Sequence, residues 1–355
     1  MSAAQDAAQD VTAELDPNAT PLREQGWTRP ILAALLFLIL PATPIFRIVV
    51  PLEQTVVLLA PVFAALALAG WRAGGRLQLA VLWTLFAIWI LWLPGTAVTS
   101  FGLLARGWAA ILAAAFGTVL LLPVGERFLE KALLALSAAF VFGAVLVLIA
   151  PGGAAGAYEI FAGEIGRRAA LSTQQWQEMT STVEWGTFIQ QNPDAGTLAT
   201  EVDRQLAELP VTGRQLALAL LALQSLAAMA LGWAVYHRVG RARLGPPLSR
   251  LRDLRFSDAL VWGVVGGLVL VAVPVFGAAR TFGLNLLVFF GALYAMRGMG
   301  VLLWFLAPGR WMMVLLTIFT LLFWHVVGIV AALLGLGDTW MDWRRRSRPK
   351  SQRSE

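Results

Sequence analysis

Stretches of about 20 apolar residues, the length a helix needs to cross roughly 30 Å of hydrocarbon, recur throughout this chain. They lie at 31–51, 55–71, 77–94, 104–123, 132–150, 214–236, 257–276, 283–307 and 311–336. Only 14% of the residues are charged and 58% are apolar, against about 25% and 45–50% in a soluble domain. Too few polar groups remain to clothe a water-facing surface. In lipid every backbone polar group must be satisfied within the protein, which selects helices here. The fold class expected is all-α: a polytopic transmembrane helix bundle of about eight to ten spans, carrying a small extracytoplasmic helical insert.

Residues 1–29 carry Asp6, Asp10, Glu14, Asp16 and Glu24 before any apolar run, whereas a secretory signal begins with basic residues. They read as a disordered cytoplasmic tail, followed by an uncleaved anchor. Residues 30–150 form a first transmembrane half of about five segments. Pro41 and Pro44 interrupt the first segment and Pro61 the second, which makes this pair either kinked spans or a re-entrant hairpin. Residues 151–213 are the insert. Residues 214–337 form a second half of about four segments, and 338–355 an amphipathic foot with a basic cytoplasmic tail.

Arginine placement sets the orientation. With the N-terminus inside, Arg72 and Arg76, then Arg127 and Lys131, then Arg238, Arg241, Arg243, Arg250, Arg252 and Arg255 all face the cytoplasm. The net acidic stretch 151–213 faces out. The tail Arg344, Arg345, Arg346, Arg348 and Lys350 then conflicts with an odd number of spans. Either one late segment does not cross, or 283–336 crosses three times with short helices. The tail charge outweighs the segment count, so both termini are expected inside a bacterial cytoplasmic membrane, with eight or ten spans. Trp71, Trp92, Trp108, Trp233, Trp311 and Trp340 stand near segment ends, as an interfacial belt would.

Within the insert, Ile160, Ile165, Leu171, Trp176, Met179, Val183 and Phe188 recur at helical spacing, and Leu198, Val202, Leu206 and Leu209 form a second stripe. Such faces pack on the span ends, lie on the membrane surface, or bind a partner. Gly263/Gly267, Ala60/Ala64 and Ala65/Ala69 are small-x-x-x-small pairs suited to helix contact.

Polar groups inside the apolar segments are the candidates for chemistry, because each is costly to bury. Arg297 stands mid-segment; it is either a ligand for an anion or a helix-end residue touching headgroups. His325 is a proton relay, a ligand contact, or a core histidine bonded to backbone. Asn285 either lines a ligand site or glues helices. No phosphate-binding loop, zinc motif or nucleophile elbow appears, and there is no cysteine; no metal, cofactor or enzymatic activity is expected. The arginines sit in separate loops rather than along one face, which suits membrane flanks and not nucleic acid. The expected partners are the lipid bilayer and either a small-molecule ligand or a membrane protein.

Three stretches carry a resemblance. They are Arg250-Leu251-Arg252-Asp253-Leu254-Arg255-Phe256-Ser257-Asp258-Ala259-Leu260-Val261-Trp262-Gly263, then Leu293-Tyr294-Ala295-Met296-Arg297-Gly298-Met299-Gly300-Val301, then Leu334-Gly335-Leu336-Gly337-Asp338-Thr339-Trp340-Met341-Asp342-Trp343-Arg344. Over 211–346 the chain resembles the YybS-like family of bacterial membrane proteins, with Arg297 where a neutral polar residue is expected. The resemblance implies a layout similar to the substrate-binding subunits of energy-coupling-factor transporters. Read from the residues alone, Gly335 and Gly337 end the last span and Asp338 and Thr339 cap a short interfacial helix. Trp340 and Trp343 anchor that helix, the Arg run meets anionic headgroups, and Asp338 and Asp342 pair with Arg344 or Arg346. Arg250, Arg252, Arg255, Asp338, Trp340, Asp342, Trp343 and Arg344 are thus expected at the membrane interface or against a partner.

Overall fold

The computed structural model describes residues 52–92 and 99–346, together with Trp27, Pro30, Ile31 and Ala33. Apart from those four, the expected first span 31–51, the N-terminal tail and everything after Arg346 lie outside the described residues. Among the described residues all regular structure is helical.

The first half is α1 (Leu52–Arg72), α2 (Leu77–Trp92), α3 (Ser100–Leu121) and α4 (Phe128–Ile149). The insert is α5 (Gly153–Thr180), α6 (Val183–Gln191) and α7 (Pro193–Gln215). The second half is α8 (Ala217–Val239), α9 (Val261–Ala272), α10 (Arg280–Leu306), α11 (Arg310–Leu322), α12 (Trp324–Met341) and the short α13 (Trp343–Arg346). Helices α1, α3, α4, α8 and α10 are long and apolar enough to cross a membrane, and α2, α9, α11 and α12 are shorter apolar helices. Exposed Leu82, Leu85, Ile149, Leu268 and Leu333 coat the bundle, an exterior that fits lipid as solvent.

The core sits among α1, α3, α4, α8 and α10, where Leu58, Val62, Phe116, Leu136, Met229, Trp233 and Leu293 pack together. Small residues set the helix spacing. Ala60 and Ala64 meet Ala87 of α2, and the Gly263/Gly267 pair of α9 lies against Phe290 and the Gly283 backbone of α10. Lipid offers no hydrophobic drive between helices, so close backbone approach is what holds such pairs.

The stretch 311–336 is not one span. The chain breaks at Phe323 (φ −115°, ψ 35°) into α11 and α12. The expected span 257–276 keeps regular α-helix only over Val261–Ala272, because Pro274 lacks the amide that would extend it. Nor do Gly335 and Gly337 end the last span: α12 runs through both to Met341, and Asp338 is inside the helix rather than at its cap.

The basic loops share one pole. Gly70 abuts Tyr236, Gly245 abuts the Glu126 carbonyl, and Gly300 abuts the Leu251 carbonyl, while Arg344 donates to the carbonyls of Arg252 and Leu254. The insert occupies the opposite pole around its own small core of Ile165, Ala169, Trp176 and Leu206. It packs on span ends: Phe161 meets Phe101 of α3 and Arg168 lies over the same ring at 4.8 Å. Val202, Leu206 and Leu209 join that core while Leu198 points out, 67% exposed. Trp108 and Trp233 leave the expected belt. Trp108 donates to Ser225 of α8, and Trp233 is fully buried and donates to the Pro246 carbonyl.

Candidate functional site: a buried ion-pair node

Helices α10 and α12 cross at two glycines. A Cβ on Gly298 would lie 1.7 Å from the Ala331 carbonyl oxygen, and one on Gly335 would lie 1.9 Å from that of Tyr294. Only glycine permits this contact. It brings the residues beside the crossing, Arg297 on α10 and Asp338 one turn beyond Gly335 on α12, into reach of one another.

Arg297 Nε donates to Asp338 Oδ2 at 3.1 Å and Nη2 to the Asp338 carbonyl at 3.3 Å. Its Nη1 donates to Asp258 Oδ1 at 3.0 Å, just ahead of α9. The same Asp338 oxygen accepts Nη2 of Arg344 at 2.7 Å. Arg344 Nη1 reaches the carbonyls of Arg252 and Leu254, both at 3.0 Å. Asp338 and Arg344 are each 1% exposed and Arg297 6%, whereas the Asp258 side chain is 64% exposed at the rim. The Phe256 ring caps the Arg297 guanidinium at 5.3 Å, a cation–π contact, and Tyr294 meets Phe256 edge-on at 5.2 Å.

Two buried cations are thus balanced by one buried and one rim carboxylate. Desolvating these charges is expensive, and the exchange is tolerable only because each finds partners in the low-dielectric interior. The node ties α9, α10, α12 and the loop 250–258 together and seats Arg344, just after α12, on them. Arg255 adds a partly exposed pair to Asp342 at 3.2 Å.

Of the expected ligand-lining set, Arg297 and Asn285 lie apart. Asn285 lies toward the insert pole, where its Oδ1 accepts the Ala219 amide at 2.7 Å and its Nδ2 donates to the Gln215 and Thr281 carbonyls. It therefore pins the α7–α8 junction to α10. His325 lies in the first turn of α12, with its side chain outside what is described. Of the interface set, Arg250, Arg252 and Arg255 are exposed, as is Trp340 at 68%. Trp343 covers Gly337, and Asp338 and Arg344 lie inside the protein. A cavity of about 30 Å³, room for about one water, lies under the insert between Gln54, Arg168 and Gln224.

Sequence reasoning missed Phe256 and Tyr294 as the walls of the node. It also missed a second fastening, in which Tyr236 donates to the Ala242 carbonyl and His237, with ring nitrogens 3.0 Å from the Trp233 and Gly245 carbonyls, holds the loop after α8. The available signal was the run of polar aromatics in the last turn of α8, since such tips find a partner when buried.

No family model matches the chain, and no curated protein or solved structure is significantly similar to it. The three stretches 250–263, 293–301 and 334–344 supply Asp258, Arg297, Asp338 and Arg344, which meet at this one node.

Proposed function

We propose that this protein is a scaffold rather than an enzyme, a multi-pass protein of the bacterial cytoplasmic membrane that presents a rigid basic face to a protein partner. The observation that carries the reading is the node itself. Its charged side chains are bonded to one another, and they fix the loop 250–258 and the residues just after α12 into one surface bearing Arg250, Arg252 and Arg255. The insert, at the opposite pole, is the second surface on offer.

The orientation belongs to the same proposal. From the glycine crossing, α10 and α12 both run toward the loop 250–258, since Gly300 and Arg344 each meet it. The chain between them must return, which makes α11 a short pass. Counting the span expected from the sequence at 31–51, which lies outside the described residues, we propose ten passes with both termini on the basic, cytoplasmic side. A small-molecule-binding transport subunit fits less well, because Arg297 and Asn285 are engaged within the protein and stand at opposite poles.

Crosslinking in native membranes, followed by purification of the full chain and mass spectrometry, tests the scaffold. A protein recovered in stoichiometric amount is expected. Empty crosslinks, or a stoichiometric small molecule instead, would overturn the reading.

A further inference from the structure

We infer that the basic pole of the C-terminal half holds anionic phospholipid headgroups, with Arg250, Arg252 and Arg255 as the recognising side chains. The depth of this loop follows from two tryptophans. Trp262 is 71% exposed and stands one turn from Asp258; Trp340 is 68% exposed and stands two residues from Asp338. Asp258 and Asp338 both bond Arg297, so the two tryptophans flank the node, each within about one turn of it. Exposed indoles mark the boundary between hydrocarbon and headgroups. The loop 250–255 meets the node through Arg344, and is thereby inferred to lie in the headgroup layer.

The charge balance there favours anions. The nearby carboxylates are already engaged: Asp258 and Asp338 by Arg297, Asp338 also by Arg344, and Asp342 by Arg255. Among the described residues, Arg252 pairs with the adjacent Asp253 at 3.5 Å, and Arg250 is exposed. The tail continues with Arg345, Arg346, Arg348 and Lys350. Arg344 holds the loop by two of its carbonyls, so its guanidinium groups are presented on a fixed frame rather than a floppy segment. A planar guanidinium donates two parallel hydrogen bonds to a phosphate, and the exposed apolar wall of α9 and α12 just inside the tryptophans gives the acyl chains a surface. The diester phosphate of a lipid satisfies both halves of this surface, whereas a soluble polyanion uses only the arginines.

The test uses the full chain in mild detergent, titrated with dioleoylphosphatidylglycerol or dioleoylphosphatidylcholine and read by native mass spectrometry. The wild type is expected to retain phosphatidylglycerol on the order of tenfold better. The triple variant R250Q/R252Q/R255Q, shown to be folded by an unchanged melting profile, is expected to lose that preference. The variant R72Q/R76Q, at the same pole but in the first half, is expected to keep it. Equal retention of the two lipids, an unchanged preference in the triple variant, or displacement of the lipid by a soluble acidic protein at these arginines would overturn the inference. Loss of the lipid preference leaves the scaffold reading standing, because a partner can still be recovered at the insert; a partner crosslinked at Arg250, Arg252 and Arg255 supports the scaffold and overturns this inference, so the two failures are distinguishable.

Discussion

Arg344 and Asp338, six residues apart, meet at 2.7 Å with both side chains almost fully buried. The chain makes this contact by ending α12 at Asp342 in the left-handed conformation (φ 40°), which turns the following residues back along the helix. A charged tail, usually left to water, is thereby used as an internal fastener.

Removing the shared carboxylate should be far costlier than removing the rim one. Asp338→Ala strands two buried guanidinium groups and is expected to destabilise by about 3–5 kcal/mol. Asp258→Ala, at an exposed partner, should cost about 0–1 kcal/mol. Thermal denaturation of the purified protein in detergent checks the contrast. The triple replacement R297M/D338L/R344M should recover much of the loss, because apolar residues of similar volume need no charge partners.

Glycine substitutions should separate by position along one helix. Gly298→Ala places a methyl against a backbone carbonyl and is expected to cost at least about 1–3 kcal/mol, the range for overpacking. Gly291→Ala, also inside α10 but with open space at its Cβ position, should be neutral or slightly stabilising through helix propensity. The same denaturation assay reads both.

Asn285→Leu should loosen the α7–α8 junction from α10. It leaves the Ala219 amide without its acceptor, at a cost of about 1–3 kcal/mol. Hydrogen exchange should rise around residues 215–219 while the node at the other pole stays protected. Uniform loss of protection would contradict the separation of the two poles.

The insert should be acid-tolerant down to the ordinary carboxylate range and no further. Burial opposes the charge on Glu164, but hydrogen bonds from Arg167 and Arg168 outweigh it and hold the carboxyl below its usual value of 4.5. The hydrogen bond from Arg204, with one from Gln205, brings Glu201 down to about 2. Depressed carboxylates contribute stability that is complete above the unfolded value and lost as pH falls through the folded one. Helicity of the insert should therefore hold from pH 7 to about 4.5 and decline below. Carboxyl NMR titration of the two residues checks this, and midpoints at 4.5 would contradict it.

Period and composition made the helical class and most of the apolar helices legible, because in lipid an apolar run of sufficient length has few alternatives. Phe323 left no such mark: an aromatic residue continues an apolar pattern, and the break between α11 and α12 is set by the backbone. The charged residues of the node were legible one at a time. Their pairing was not, since it depends on Gly298 and Gly335 bringing two helices into backbone contact. The same limitation put Asp338 at a cap and Trp233 at the membrane surface, when tertiary packing buries both.

Cysteine accessibility tests most directly the claim that the chain end and the basic loop share one side of the membrane. The chain has no cysteine, so Ser257→Cys, Ser351→Cys and Thr200→Cys each give a single label site. With a membrane-impermeant maleimide on intact and lysed cells, positions 257 and 351 are predicted to label only after lysis, and position 200, in the insert, before it. Labelling of 257 and 351 from opposite sides would contradict the account.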